Sequence, residues 1–182
     1  RDGDPVKVTA KGDGTYTFTQ PSGKVTIEVT FCEKKAPGLP FTDLEPGAWY
    51  YDAVEYVYEN GLMAGTSGTT FSPNGITTRG QIVTILYRLA GSPDIEEEIW
   101  GYPYADVDAA AYYGTAVYWA RLNGIASGYN DEHFGPDDPI TREQMVVMIY
   151  RYAKAMGYEV TGRADLTVYA DAEQVSAFAQ EA

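Results

Sequence analysis

Residues 141–153 read TREQMVVMIYRYA, and residues 78–90 read TRGQIVTILYRLA, an offset of 63 positions. Both stretches place Thr-Arg-any-Gln ahead of an apolar run that ends in Tyr-Arg. Thr-x-x-Gln is a capping box. The threonine hydroxyl accepts the N3 amide, and Gln81 or Gln144 reaches back to the cap amide. A helix is therefore predicted from Thr78 and from Thr141, and no ligand is needed to explain Thr or Gln. The arginines fit helix chemistry less well. Arg79 and Arg142 occupy N1, where the positive helix end disfavours a cation by about 0.3–1 kcal/mol. Two readings stand side by side. Guanidinium and free helix-start amides can grip one carboxylate or phosphate together. Alternatively, each arginine is an interface residue that bonds a carbonyl of a neighbouring repeat or a nearby acid.

The repeat extends well beyond these helices. Sliding by 63 places Phe41-Thr42-Asp43 on Tyr104-Ala105-Asp106, Asn60-Gly61 on Asn123-Gly124, Gly65 on Gly128, Phe71 on Phe134 and Pro73 on Pro136. No gap is needed from 41 to 90. Tyr50, Ala53, Val54, Val57 and Tyr58 form the stripe of an amphipathic helix, and Tyr113, Ala116, Val117 and Ala120 repeat it. Asn-Gly then stops each helix, because glycine enters the left-handed C′ conformation without a clash. A glycine-rich loop follows, with Phe71 or Phe134 as its apolar anchor. A third copy opens at YADAEQVSAFAQEA, 169–182. Such self-similarity marks a supersecondary unit that cannot bury its apolar face alone.

This organisation divides the chain into 1–31, a β-strand tail of an upstream domain; 32–40, a linker; 41–90, repeat 1; 91–103, a linker; 104–157, repeat 2; 158–168, a linker; and 169–182, the start of repeat 3. The first region alternates with a period of two through VKVTA, GTYTFTQ and KVTIEVTF, with a turn at Pro21-Ser22-Gly23. The stripe of Val175, Phe178, Ala179 and Ala182 predicts a helix over 173–182 that packs between the helices of 49–60 and 112–123.

Composition narrows the function. With 45% hydrophobic residues the 182-residue chain can bury a core. No apolar run reaches the roughly 18 residues needed to span a membrane, so no membrane insertion is expected. The net charge of −13 argues against nucleic acid. Cys32 alone supplies neither a disulfide nor a Cys-rich zinc site. The acids of YNDEHFGPDD, 129–138, lack calcium-loop spacing and read as a solvated loop. His133 is the only histidine and lies in that loop, and Glu96-Glu97-Glu98 sit in a linker rather than a cleft, so no catalytic constellation is found. No enzyme activity and no cofactor are expected. Tyr56 and Trp119 occupy equivalent helical positions that suit sugar stacking or, more simply, a core role. Asp43, Asp106 and Asp171 recur before the first helix as turn or capping groups.

Taken together, FTD…AVEYVYENGLMAG…FSP…TTRGQ and YAD…AVYWARLNGIASG…FGPDDPITREQ resemble S-layer homology (SLH) modules across about 41–182. The resemblance implies a mainly α fold, a pseudo-threefold spindle whose third unit is incomplete here, and the alternation in 1–31 adds a β-hairpin segment at the N-terminus. It implies binding of secondary cell-wall polysaccharide, often pyruvylated, in grooves between modules. It further implies that Arg79 and Arg142, with Thr78 and Thr141 in the same TRAE-like motif, contact the pyruvyl carboxylate, and that Gly65 and Gly128 let the sugar approach the backbone. Repeat 1 departs from that motif with T-R-G-Q, and Gly80 weakens its helix start by up to about 1 kcal/mol. The expected role is non-covalent anchoring of a secreted surface protein to a Gram-positive cell wall or S-layer. The alternative is a structural or self-assembling segment, and a homo-oligomer formed through the third unit is a further expectation.

Overall fold

The computed structural model describes residues 8–10, 16–18, 38–95 and 104–182. The chain divides into two compact units, Arg1–Gly38 and Leu39–Ala182. In the first, β1 (Val8–Ala10) pairs antiparallel with β2 (Tyr16–Phe18), with Thr9 opposite Thr17. The expected turn at Pro21-Ser22-Gly23, the strand at 24–31 and the acidic stretch Glu96–Glu98 lie outside the described residues.

Among its described residues the second unit holds four α-helices: α1 (Tyr51–Glu59), α2 (Arg79–Leu89), α3 (Gly114–Leu122) and α4 (Arg142–Ala155). Both capping boxes form. Thr78 and Thr141 accept the amides of Gln81 and Gln144, whose side chains accept the cap amides in return. Asn60 and Asn123 end α1 and α3, and Gly61 and Gly124 follow with φ of 68° and 65°. The amides of Leu62 and Ile125 then bond back to Val57 and Ala120 at 2.8 Å, which closes each helix in a Schellman motif.

The core is built mostly from repeat 2 and is closed by Val83 and Leu86 of α2 from repeat 1. α2 packs on α3 and on α4, whereas α1 packs on no other helix among the described residues. At the centre, the Trp119 ring on α3 lies 5.5 Å from Tyr87 on α2 and 6.4 Å from Tyr152 on α4. Val83, Val117, Ile125 and Phe134 are fully buried around it. Tyr56, in the position equivalent to Trp119, is 63% exposed, because no helix faces α1.

Residues 173–182 do not form the expected helix. The chain from Leu166 makes three single 3-10 turns, Leu166–Val168, Ala172–Gln174 and Ala177–Ala179. The last packs on α4 and touches neither α1 nor α3. Glu143 draws it there, accepting the amide of Ser176 at 3.1 Å and its hydroxyl at 3.0 Å. Of the expected stripe only Ala179 is buried, and Phe178 stays exposed. One short buried face does not offset the cost of nucleating a ten-residue helix.

Candidate functional site

Arg79 is 4% exposed. Its Nε donates to the Phe134 carbonyl at 2.9 Å, and its Nη2 donates to the Ser127 carbonyl at 2.8 Å. The guanidinium also lies 4.5 Å from the Tyr129 ring centre and 4.7 Å from that of Phe134. Burial pulls its pKa down, and the phenol of Tyr129 and the carboxylates of Asp138 and Asp106 pull it back. An arginine stays charged under such opposing influences. The first helix-start arginine therefore grips the loop of the next repeat, the contact that the interface reading describes.

The helix-start amides are engaged in the same contact. Arg79 N–H donates to the Asp138 carbonyl at 3.0 Å, Gly80 N–H to Pro136 at 2.8 Å, and Ile140 N–H returns to Thr77 at 3.0 Å. Thr78 and Pro139 thus form an antiparallel bridge. A Cβ on Gly80 would sit 2.8 Å from the Pro136 carbonyl oxygen and 3.1 Å from the Tyr113 ring. The departure from the family motif is a packing requirement: only glycine lets the α2 backbone reach repeat 2.

Arg142 presents the same chemistry in the open. It is exposed and has no hydrogen bond or ion pair among the described residues. The amides of Arg142 and Glu143 likewise have no acceptor there. One guanidinium and two helix-start amides remain available, beside a Glu143 carboxylate that is held by Ser176.

The two glycine-rich loops are tied down by the recurrent aspartates, over a longer range than a local cap. Asp43 accepts the amides of Phe71 and Ser72 at 2.9 and 2.7 Å, and Asp106 accepts those of Phe134 and Gly135 at 2.9 and 2.8 Å. These amide bonds hold Asp43 below the usual carboxylate range. For Asp106, burial pushes the pKa up, but the amides together with His133 outweigh it and the net shift is downward. Gly65 and Gly128 have structural reasons of their own. Gly65 has φ of 82°, and a Cβ there would meet the Phe41 ring at 2.5 Å and the Thr70 carbonyl at 2.6 Å. At Gly128 a Cβ would run into the His133 carbonyl and the Tyr104 ring. The space beside each α-carbon is filled by protein, so packing alone requires glycine at both positions.

Both loops nonetheless border grooves. One, of about 470 Å³, runs between the repeat 1 loop, the face of α2 and Tyr112 of repeat 2. Its floor is apolar, with Phe71 and Ile85, and its sides carry Thr66, Ser72, Gln81 and Arg88. The hydroxyls of Thr66 and Ser72 lie 2.7 Å apart, and Arg88 is oriented by its bond to the Leu62 carbonyl at 3.1 Å. Ala64, Thr66, Phe71, Pro73 and Gly75 in this groove correspond to Ser127, Tyr129, Phe134, Pro136 and Asp138, which hold the α2 start in repeat 2. Gln81 was read from the sequence only as a capping residue, and Arg88 and Tyr112 were not read as site residues. The available signal for Tyr112 was its match, across the repeat, to Trp49, which is 91% exposed.

The model of the S-layer homology domain matches residues 40–83 and 103–146. The chain is 34% identical over 150 residues to an endoglucanase of Bacillus sp. (strain KSM-635), covering 82% of this chain and 15% of that protein. It is 30% identical over 159 residues to the surface-layer 125 kDa protein of Lysinibacillus sphaericus, covering 81% and 12% respectively. A cellulosome-anchoring protein of Acetivibrio thermocellus is 28% identical over 127 residues, covering 64% of this chain and 26% of the relative. The chain thus spans between 12% and 26% of the length of these relatives.

Proposed function

The paired repeats belong to the S-layer homology family, and from that premise we propose that the chain anchors a secreted surface protein to the cell wall by binding secondary wall polysaccharide between its repeats. Relatives named for the surface layer and for cellulosome anchoring support wall attachment. The matched family is a wall-binding one, and the endoglucanase is matched over a minor part of its length. The observation that carries the reading is the groove of repeat 1, which Tyr112 of repeat 2 borders on one side. An apolar floor, convergent hydroxyl, amide and guanidinium groups, and an exposed Tyr112 ring suit a saccharide, which has apolar C–H faces and polar edges. Arg79 fixes repeat 2, which supplies Tyr112, against repeat 1, which supplies the rest of the lining, so little ordering cost falls on binding.

Outside that groove, a separate contact with the acidic group of a pyruvylated glycan is assigned to Arg142 with its open helix-start amides. A chain of net charge −13 repels such a glycan at long range. Affinity then comes from short charge-assisted bonds, each about 1.5–3 kcal/mol. Retention on purified sacculi is expected for the wild type and is lost once the polysaccharide is extracted. Arg142→Lys weakens retention nearly as much as Arg142→Ala, because an ammonium lacks the bidentate fork. A second reading, a structural segment in which repeats bind like repeats, is favoured by the protein carbonyls that Arg79 already holds. Failure of sacculi to retain the chain with or without polysaccharide, together with self-association in solution, would select it.

A further inference from the structure

We infer that repeat 2 carries a ligand site of its own, separate from the groove of repeat 1, that takes a carboxylate-bearing saccharide with Arg121 as its charge contact. A pocket of about 370 Å³ opens where α3 ends and the following loop begins, lined among others by Tyr104, Arg121, Ser127, Gly128, Asn130 and Asp131. Arg121 is exposed, and its guanidinium lies 5.0 Å from the centre of the Tyr104 ring. The Tyr104 hydroxyl accepts the Gly128 amide at 2.7 Å, which fixes the ring beneath the cation. Arg121 has no hydrogen bond or ion pair among the described residues, in a chain with 26 acidic residues against 13 basic ones. A cation positioned by a ring face keeps its N–H donors for something else.

Two further donors line the same pocket. Asn130 accepts the Glu132 and His133 amides through Oδ1, each at 2.8 Å, so its Nδ2 protons have no acceptor among the described residues. The Ser127 carbonyl holds Arg79, while its hydroxyl is unbonded among the described residues. Asp131 lines the same pocket. Its charge opposes a multiply charged anion such as phosphate, yet it can accept a sugar hydroxyl. One carboxylate combined with several hydroxyls is the chemistry that satisfies all four groups. The loop is also pre-organised, because Arg79 ties down Ser127 and Phe134 and Asp106 ties down Phe134 and Gly135. Repeat 1 cannot offer this site. Its equivalent positions are Phe41 and Tyr58, two rings in edge contact at 5.1 Å.

The saccharide class rests on the anchoring proposal, whereas the location rests on the pocket, so two measurements separate them. Sacculus retention of the wild type tests anchoring. The pocket is tested by titrating the full chain with glucuronate, and with glucose as a neutral control, while following backbone amide resonances. Glucuronate is expected to shift Gly124, Gly128 and Asn130, and glucose to shift them far less. Arg121→Gln should weaken the glucuronate response at least tenfold while leaving the melting temperature unchanged, since Arg121 is exposed. Absence of glucuronate shifts at these residues, an undiminished response in Arg121→Gln, or equally strong binding of inorganic phosphate would each overturn the proposal.

Discussion

The first helices of the two repeats carry the same apolar stripe and meet different fates. In α3, Ala116, Val117, Trp119 and Ala120 are buried, and Tyr113 just ahead of the helix is buried with them. In α1 only Val54 is, and Ala53 and Tyr56 face solvent. The helix starts show the reverse pairing. Arg79 at the head of α2 is locked into the following repeat, and Arg142 at the head of α4 is open. The difference has one cause. A repeat uses its second helix to grip the next repeat and its first helix to receive the previous one. Among the described residues that exchange occurs once, between α2 and α3. Burial in this architecture is a property of neighbouring repeats, as in other repeat proteins.

Two pairs of substitutions and one single change can break or sharpen that comparison. The largest contrast should come from Trp119→Ala against Tyr56→Ala. Removing the ring that joins α2, α3 and α4 is expected to cost about 3–5 kcal/mol in urea unfolding. The equivalent change on α1 should stay within about 0.5 kcal/mol. Comparable losses would mean that α1 is packed as α3 is.

Next in size is Arg79→Ala, which leaves the Ser127 and Phe134 carbonyls without their charged donor. A loss of about 3 kcal/mol is expected, against no measurable change for Arg142→Ala. Equal effects on thermal melts would erase the distinction between a locked and an open arginine.

The smallest contrast has opposite signs from two principles. Gly80→Ala should raise helix propensity by about 1 kcal/mol. Crowding of the new methyl against Pro136 and Tyr113 should cost about 1–3 kcal/mol, so the net change is destabilising. A stabilised Gly80→Ala protein would show that the close approach of α2 to repeat 2 is loose.

Much of the local structure was legible. Thr-x-x-Gln marked both second-helix starts and Asn-Gly both first-helix ends, because each motif satisfies backbone groups within five residues of itself. The interface role of arginine was legible as one of two readings, but which arginine would take it was not. The aspartates were read as local caps, whereas their partners lie 28 and 29 residues further along. No periodicity records a contact of that span. The expected helix at 173–182 failed for a related reason. Its stripe was real, but Glu143 offered Ser176 a pair of hydrogen bonds on α4, and no groove was there to receive Phe178.

The amino-acid sequence by itself determined the repeat, its period of 63, its helix caps and its family resemblance, since these depend on short-range hydrogen bonding and on the apolar stripe. Only the tertiary structure decided which stripe is buried, why residue 80 is glycine, and which cations stay free for a ligand. Those outcomes depend on what a second repeat brings to within about 3–5 Å of each side chain, the range over which hydrogen bonds and packing act, and sequence spacing does not carry that information.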